Sequence, residues 1–210
     1  MFHARPLPDP LAPTIWVCRP TVPTLVLGSA QSDDVVDRAA CARAGVAVAR
    51  RRSGGGAVLV EPGRVLWLDV LIPVDDPRWD RDIARAFIWL GEAWADALAS
   101  LGVATAMVHP GPVVRRRWSD LVCFGGLGAG EVTLGRGPKL VGLSQRRTRV
   151  GARFQCAALG AWDPGSLVDL LVLDAGSRTA AIEELEGAAA AVPVPLEALL
   201  DALLGRLTAA

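Results

Sequence analysis

The chain predicts an α+β fold, a mixed and largely antiparallel sheet with helices packed on it, and three observations point there. β-type runs lie early, near residues 14–17, 24–27, 46–49, 57–60 and 64–72, and again late, near 130–134, 139–144 and 152–158. A helical pattern over 80–101, with Ile83, Phe87, Leu90, Trp94 and Leu98 at helical spacing, stands between them. The third is size: 210 residues, 51% hydrophobic, suffice for one well-formed core and are short for two. Strands at both ends with helices between fit a sheet covered by helices better than a regular βαβ alternation.

Taken in order, residues 1–13 are Pro-rich and read as a flexible arm, leaving 14–210 as a single domain. Pro20 and Pro23 separate the first two strands, as at a sheet edge. Asp33 and Asp34 are placed to cap a helix over 34–44 that stops at Gly45. The runs at 57–60 and 64–72 flank Glu61-Pro62-Gly63 and predict a hairpin. Residues 107–118 are irregular, and helices near 166–173 and 196–207 close the chain. The Ala-rich stretch 186–191 fits a helix or a linker.

Net formal charge is zero and the pI is about 6.7, which gives no support to nucleic acid as a partner. The arginine clusters at 50–52, 115–117 and 146–149 suit phosphate or an acidic protein, or simply a solvated face. No window approaches the roughly 18 apolar residues of a membrane span, and the N-terminus lacks the apolar core of a signal peptide. Cys18, Cys41, Cys123 and Cys156 are widely spaced, and His3 and His109 are the only histidines, so no metal site is expected. The expectation is a cytoplasmic protein with free thiols.

Two features carry chemistry. Lys139 is the sole lysine beside 21 arginines. An ammonium is a compact, tunable point charge where a guanidinium is a wide fork, so a lysine kept in so arginine-rich a chain marks a place where the fork will not serve. Arg51-Arg52-Ser53-Gly54-Gly55-Gly56 is the second: three successive glycines between strands cost backbone entropy and suit a loop that brings N–H groups close to a ligand, with arginines able to grip a carboxylate or phosphate. Cys123, 16 residues before Lys139, reads either as a buried structural cysteine or as a thiol that a nearby ammonium activates. Cys156 is a structural cysteine that would be tested as a reserve nucleophile. Asp120 reads as a turn residue or a supporting acid, and His109 as a loop residue.

RRRSGGGAV, the segment from Lys139 through Leu-Val-Gly-Leu-Ser-Gln-Arg-Arg, and the following GARFQCAAL resemble, over residues 24–160, the catalytic domain of lipoate–protein ligases and octanoyltransferases. The resemblance implies the biotin/lipoate protein ligase-like fold and attachment of a lipoyl or octanoyl group to one lysine of a lipoyl carrier domain. Such carriers include the E2 subunits of 2-oxoacid dehydrogenases and the glycine-cleavage H protein, with acyl carrier protein as a possible donor. It further implies that Arg51, Ser53, Gly54, Gly55 and Gly56 form a loop over the acyl chain and that Lys139 contacts the acyl carbonyl. Gly142, Ser144 and Gln145 shape the adjoining wall, and Cys123 matches the thioester-forming cysteine of one octanoyltransferase subgroup. Val58, Val60, Trp67, Leu140 and Leu143 are candidates to line an acyl tunnel, or ordinary core residues.

The motifs divide between two chemistries. ATP-using ligases carry Asn-Asp where this chain has Val122-Cys123, and a full accessory C-terminal domain for which only about fifty residues remain here. Cysteine-type transferases put arginine where this chain keeps Gly56. Acyl transfer through Cys123, which needs no cofactor, is the leading expectation. ATP- and Mg²⁺-dependent ligation through an acyl-adenylate is the second, and a non-catalytic carrier-binding or lipoate-sensing protein the third.

Overall fold

A computed structural model describes residues 5–208. Its strands are β1 (Thr14–Cys18), β2 (Thr24–Leu27), β3 (Ala47–Arg50), β4 (Val58–Val60), β5 (Val65–Pro73), β6 (Ala106–Val108), β7 (Val132–Leu134), β8 (Lys139–Arg147) and β9 (Gly151–Leu159). The α-helices are α1 (Arg38–Arg43), α2 (Ile88–Ser100), α3 (Pro164–Val168), α4 (Ala175–Glu186) and α5 (Leu196–Thr208). The fold is α+β and largely antiparallel as expected, but the strands form two sheets rather than one. Six pair antiparallel in the order β1-β5-β9-β8-β7-β6, and three form β3-β2-β4, where β2 and β3 are parallel.

Alternation along β5 and β9 produces the layering. Leu66, Leu68, Val70 and Ile72, with Phe154, Cys156 and Ala158, pack against α2 and α5. The opposite face, with Val65, Trp67, Ala157 and Leu159, meets Val26, Val58 and Val60 of the small sheet. The small sheet's outer face, through Leu25 and Leu27, is covered by residues of α1, α3 and α4. Helices, large sheet, small sheet and helices therefore stack as four layers.

Several expectations need correction. The hairpin over 57–72 does not form: β4 pairs with β2, and β5 pairs with β1 and β9, so the chain changes sheets at Glu61-Pro62-Gly63. The helix expected from 34 begins at Arg38, where Asp37 accepts a hydrogen bond from the Ala40 N–H; Val36 is pulled into a bridge with Leu171 instead. The helix expected from 80 begins at Ile88 after a single 3-10 turn. Asp82 there accepts from the Ala84 and Arg85 N–H groups, leaving 80–84 as a loop with Ile83 exposed. Helix α4, ending at Glu186, was not anticipated; the Ala-rich stretch after it is a linker that touches β8 in a one-residue bridge between Ala189 and Lys139.

Arg5 stacks on Trp16 at 4.2 Å and its carbonyl accepts from Arg153; the part of the expected arm at residues 1–4 lies outside the described residues. Among the described residues, no helix is long and apolar enough to cross a membrane, and no cluster of His, Cys, Asp or Glu could hold a metal ion.

Candidate active site

A cleft of about 380 Å³ opens where the loop between β3 and β4 faces β8. Gly54, Gly55, Gly56, Cys123, Lys139, Ser144 and Gln145 all line it. Sequence-distant residues thus converge on one wall.

The glycine loop is held from both sides. Val122 bridges Ala57 in parallel: the Ala57 N–H donates to Leu121 and the Cys123 N–H donates to Ala57, at 2.8 and 3.0 Å. A Cβ on Gly56 would lie 2.6 Å from Val122 and 2.7 Å from the Cys123 nitrogen, so the close crossing of the two segments requires glycine. Gly55 has φ +95°, a region that strains any side-chain-bearing residue; its Cβ would also stand 3.5 Å from Cys123 Sγ and 2.9 Å from Arg51 Nη2. The thiol and the guanidinium therefore lie together beside Gly55. Arg51 does not project as a grip for a ligand. It is buried, and donates to the carbonyls of Gly54, Gly56 and Val26. Burial pulls the guanidinium below its ordinary range, and the facing Cys123 sulfur opposes that shift.

Lys139 reaches the cleft because of a bulge. Along β7–β8 the pairing runs from Thr133–Lys139 to Val132–Val141, so β8 carries one extra residue at Leu140. Leu140 and Val141 both enter the helix-side core, while the Lys139 ammonium goes to the other face. There Nζ donates to the Cys123 carbonyl at 2.8 Å and to Glu131 Oε2 at 2.9 Å, and stands 4.9 Å from the centre of the Phe124 ring. Glu131 also accepts from the Gly128 N–H through Oε2 and from the Leu143 N–H through Oε1. Lys139 and Glu131 are 2% and 5% exposed, a buried and hydrogen-bonded ion pair.

Glu131 was missed by sequence reading. A signal existed: it is the only acidic residue between Asp120 and Asp163, eight residues before the only lysine. The glycines before it serve its placement. Gly130 has φ +78°, and a Cβ there would lie 2.4 Å from Phe87 Cβ.

The remaining expected residues divide. A Cβ on Gly142 would touch Phe124 at 3.2 Å, so this glycine seats the ring under Lys139. Gln145 donates to the Ile83 carbonyl and fixes the rim of the cleft. Ser53 and Ser144 meet at 2.9 Å. Asp120 is exposed on the cleft wall beside Arg115, and His109 contacts the Pro112 carbonyl and does not line the cleft. Cys156 faces the helix-side core, fully buried, where desolvation pushes its thiol far up. That orientation removes it as a reserve nucleophile. Among the tunnel candidates, Leu140 lies in the helix-side core, Val58, Val60 and Trp67 lie between the sheets, and Leu143 alone lines the cleft.

The chain belongs to the lipoyl protein ligase A/B catalytic domain family, whose pattern matches residues 4–203. Among curated proteins, none matches it. Solved structures share its fold. A bipartite lipoate protein ligase from Thermoplasma acidophilum, studied with its E2 lipoyl domain, is 22% identical with a TM-score of 0.72, over 94% of this chain and 70% of that one. A lipoate–protein ligase A bound with ATP is also 22% identical, with a TM-score of 0.68 over 94% and 72% of the two chains. LipL1 of P. falciparum in complex with lipoate is 16% identical, with a TM-score of 0.62 over 94% and 47%.

Proposed function

We propose that this protein moves a medium-chain acyl group, octanoyl or lipoyl, from a carrier thioester to the lysine of a lipoyl carrier domain through a thioester on Cys123. The observation that carries the reading is the position of Cys123 Sγ, beside Gly55 and the Arg51 guanidinium in the cleft that also holds Lys139. In the first half-reaction the Cys123 sulfur gives up its proton and attacks the donor's carbonyl carbon; a C–S bond forms, and the donor thiolate leaves and takes up that proton. In the second, the acceptor amine attacks the new thioester, an N–C bond forms, and the Cys123 sulfur leaves and recovers a proton from the amine. Each attack places negative charge on the acyl oxygen. Two hydrogens of the Lys139 ammonium are committed to Glu131 and the Cys123 carbonyl, which leaves the third for that oxygen. The lipoyl carrier as acceptor draws support from the Thermoplasma system, which pairs its ligase with an E2 lipoyl domain.

ATP-dependent ligation is the second reading, favoured by Gly56 and by the likeness to an ATP-bound ligase. One contact in the cleft counts against it. The Lys139 ammonium that would meet an α-phosphate is already paired with a carboxylate 2.9 Å away. Intact-mass measurement after mixing the protein with an octanoyl thioester, without ATP, tests the proposal. An octanoyl adduct that hydroxylamine removes and Cys123→Ser abolishes is expected. An adduct-free protein that forms an acyl-adenylate from ATP and free lipoate would overturn it.

A further inference from the structure

A file of buried polar side chains runs through the layer between the sheets and ends at the cleft. Asp69 of β5 accepts from Trp67 Nε1 at 2.9 Å and Arg153 Nε at 2.8 Å, and from Gln155 Nε2 at 3.3 Å. Gln155 Oε1 accepts from Ser53 Oγ at 2.7 Å, and Ser53 Oγ meets Ser144 Oγ at 2.9 Å. Asp69 is wholly buried, and Ser53 and Gln155 nearly so.

The chemistry of the groups fixes the direction of every bond. Indole and guanidinium nitrogens only donate, and the buried ion pair with Arg153 favours the carboxylate against the opposing effect of burial, so Asp69 acts as an acceptor. It therefore turns the amide nitrogen of Gln155 toward itself and the amide oxygen toward Ser53. Ser53 has one hydroxyl proton, and that oxygen takes it. The contact between the serines is then made by Ser144, whose only proton points at Ser53. What Ser144 presents to the cleft is lone pairs.

We infer that Ser144 is the hydrogen-bond acceptor for the attacking primary amine in the second half-reaction, and that Asp69, Gln155 and Ser53 are positioning residues that set its polarity. The inference rests on the acyl-transfer reading. At the reacting centre, a thioester offers only a carbonyl oxygen and a sulfur, neither with a hydrogen to give. The neutral amine has two, and one N–H bound to Ser144 aims the nitrogen lone pair at the Cys123 thioester carbon. Ser144 takes no proton; the amine's surplus proton goes to the departing Cys123 sulfur, which restores the thiol.

The test separates the two half-reactions. Isolated octanoyl-Cys123 enzyme is divided between a lipoyl carrier domain, whose nucleophile is an amine, and ethanethiol, whose thiolate has no hydrogen to donate. Ser144→Ala should slow transfer to the lysine about tenfold, the scale of one hydrogen bond, and change transfer to the thiol less than about twofold. Ser144→Thr should restore amine transfer. Gln155→Met, which frees the Ser53 proton to turn toward Ser144, should shift the amine-to-thiol ratio the same way as Ser144→Ala. Equal losses with both nucleophiles, or no loss with the amine, would overturn the inference. Failure of the wild-type protein to form octanoyl-Cys123 at all would instead sink the acyl-transfer reading beneath it.

Discussion

The two faces of β9 and its neighbours differ in kind. Toward α2 and α5, Ala152, Phe154, Cys156 and Ala158 meet an apolar core. Toward the small sheet, Arg153 and Gln155 with Asp69 and Ser53 form a hydrogen-bonded file. The same contrast separates two cysteines: Cys156 is sealed in the first layer, while Cys123 stands half-buried beside a guanidinium at the end of the second. Buried polar groups cost stability unless they are partnered. The difference teaches that the helix face serves packing, and that the costlier face is the one that ends at the cleft.

The contrast can be broken at several points. Cys123→Ser should leave the fold intact and lower acyl transfer by roughly 10³-fold or more, as loss of a nucleophile does, read in steady-state assays; a small loss would move the chemistry away from this thiol. Glu131→Ala leaves the buried Lys139 ammonium unpaired and should cost about 3–5 kcal/mol in urea unfolding. Replacing both partners by leucine should cost less than that single change. Gly56→Ala forces a methyl group into the Val122–Cys123 backbone and should cost about 1–3 kcal/mol while lowering transfer. Cys156→Ala, on the packing face, should cost about 1 kcal/mol by thermal unfolding and leave transfer unchanged.

A separate effect is one of pH. Burial pushes the Cys18 thiol from 9.0 to about 12. Between those values the unfolded chain has lost a proton that the folded protein keeps. Stability from this group is therefore whole below pH 9 and falls as pH rises, by up to about 1.4 kcal/mol per pH unit. Denaturant titrations from pH 8 to 11 would show it, and Cys18→Ala would make the fall shallower, the remainder coming from Cys41 and Cys156, whose thiols burial also pushes up.

The parts of this arrangement that sequence could reveal were those that break a compositional habit. A lone lysine among arginines and three glycines in a row are visible without a structure. The first two strands and the stop at Gly45 follow from proline and glycine chemistry and were placed nearly where they occur, but only β1 is an edge strand; β2, expected at an edge, is flanked by β3 and β4. The sheet change at Glu61-Pro62-Gly63 was not legible, since the same turn residues suit a hairpin and a crossing between sheets. Nor was the start of α2, because Ile83 fits the helical period yet its carbonyl is captured by Gln145 of β8. Glu131 meets Lys139 only because β8 bulges at Leu140, and no local pattern announces a bulge.

The most direct test of the account is the chemical competence of the acyl-enzyme. Octanoylated protein, freed of donor and of nucleotide, is mixed with a lipoyl carrier domain and followed by intact mass. The account predicts that the octanoyl mass leaves Cys123 and appears on the domain's lysine in a single turnover. An acyl-enzyme that only hydrolyses, with the domain modified solely when ATP and free acid are supplied, would contradict it.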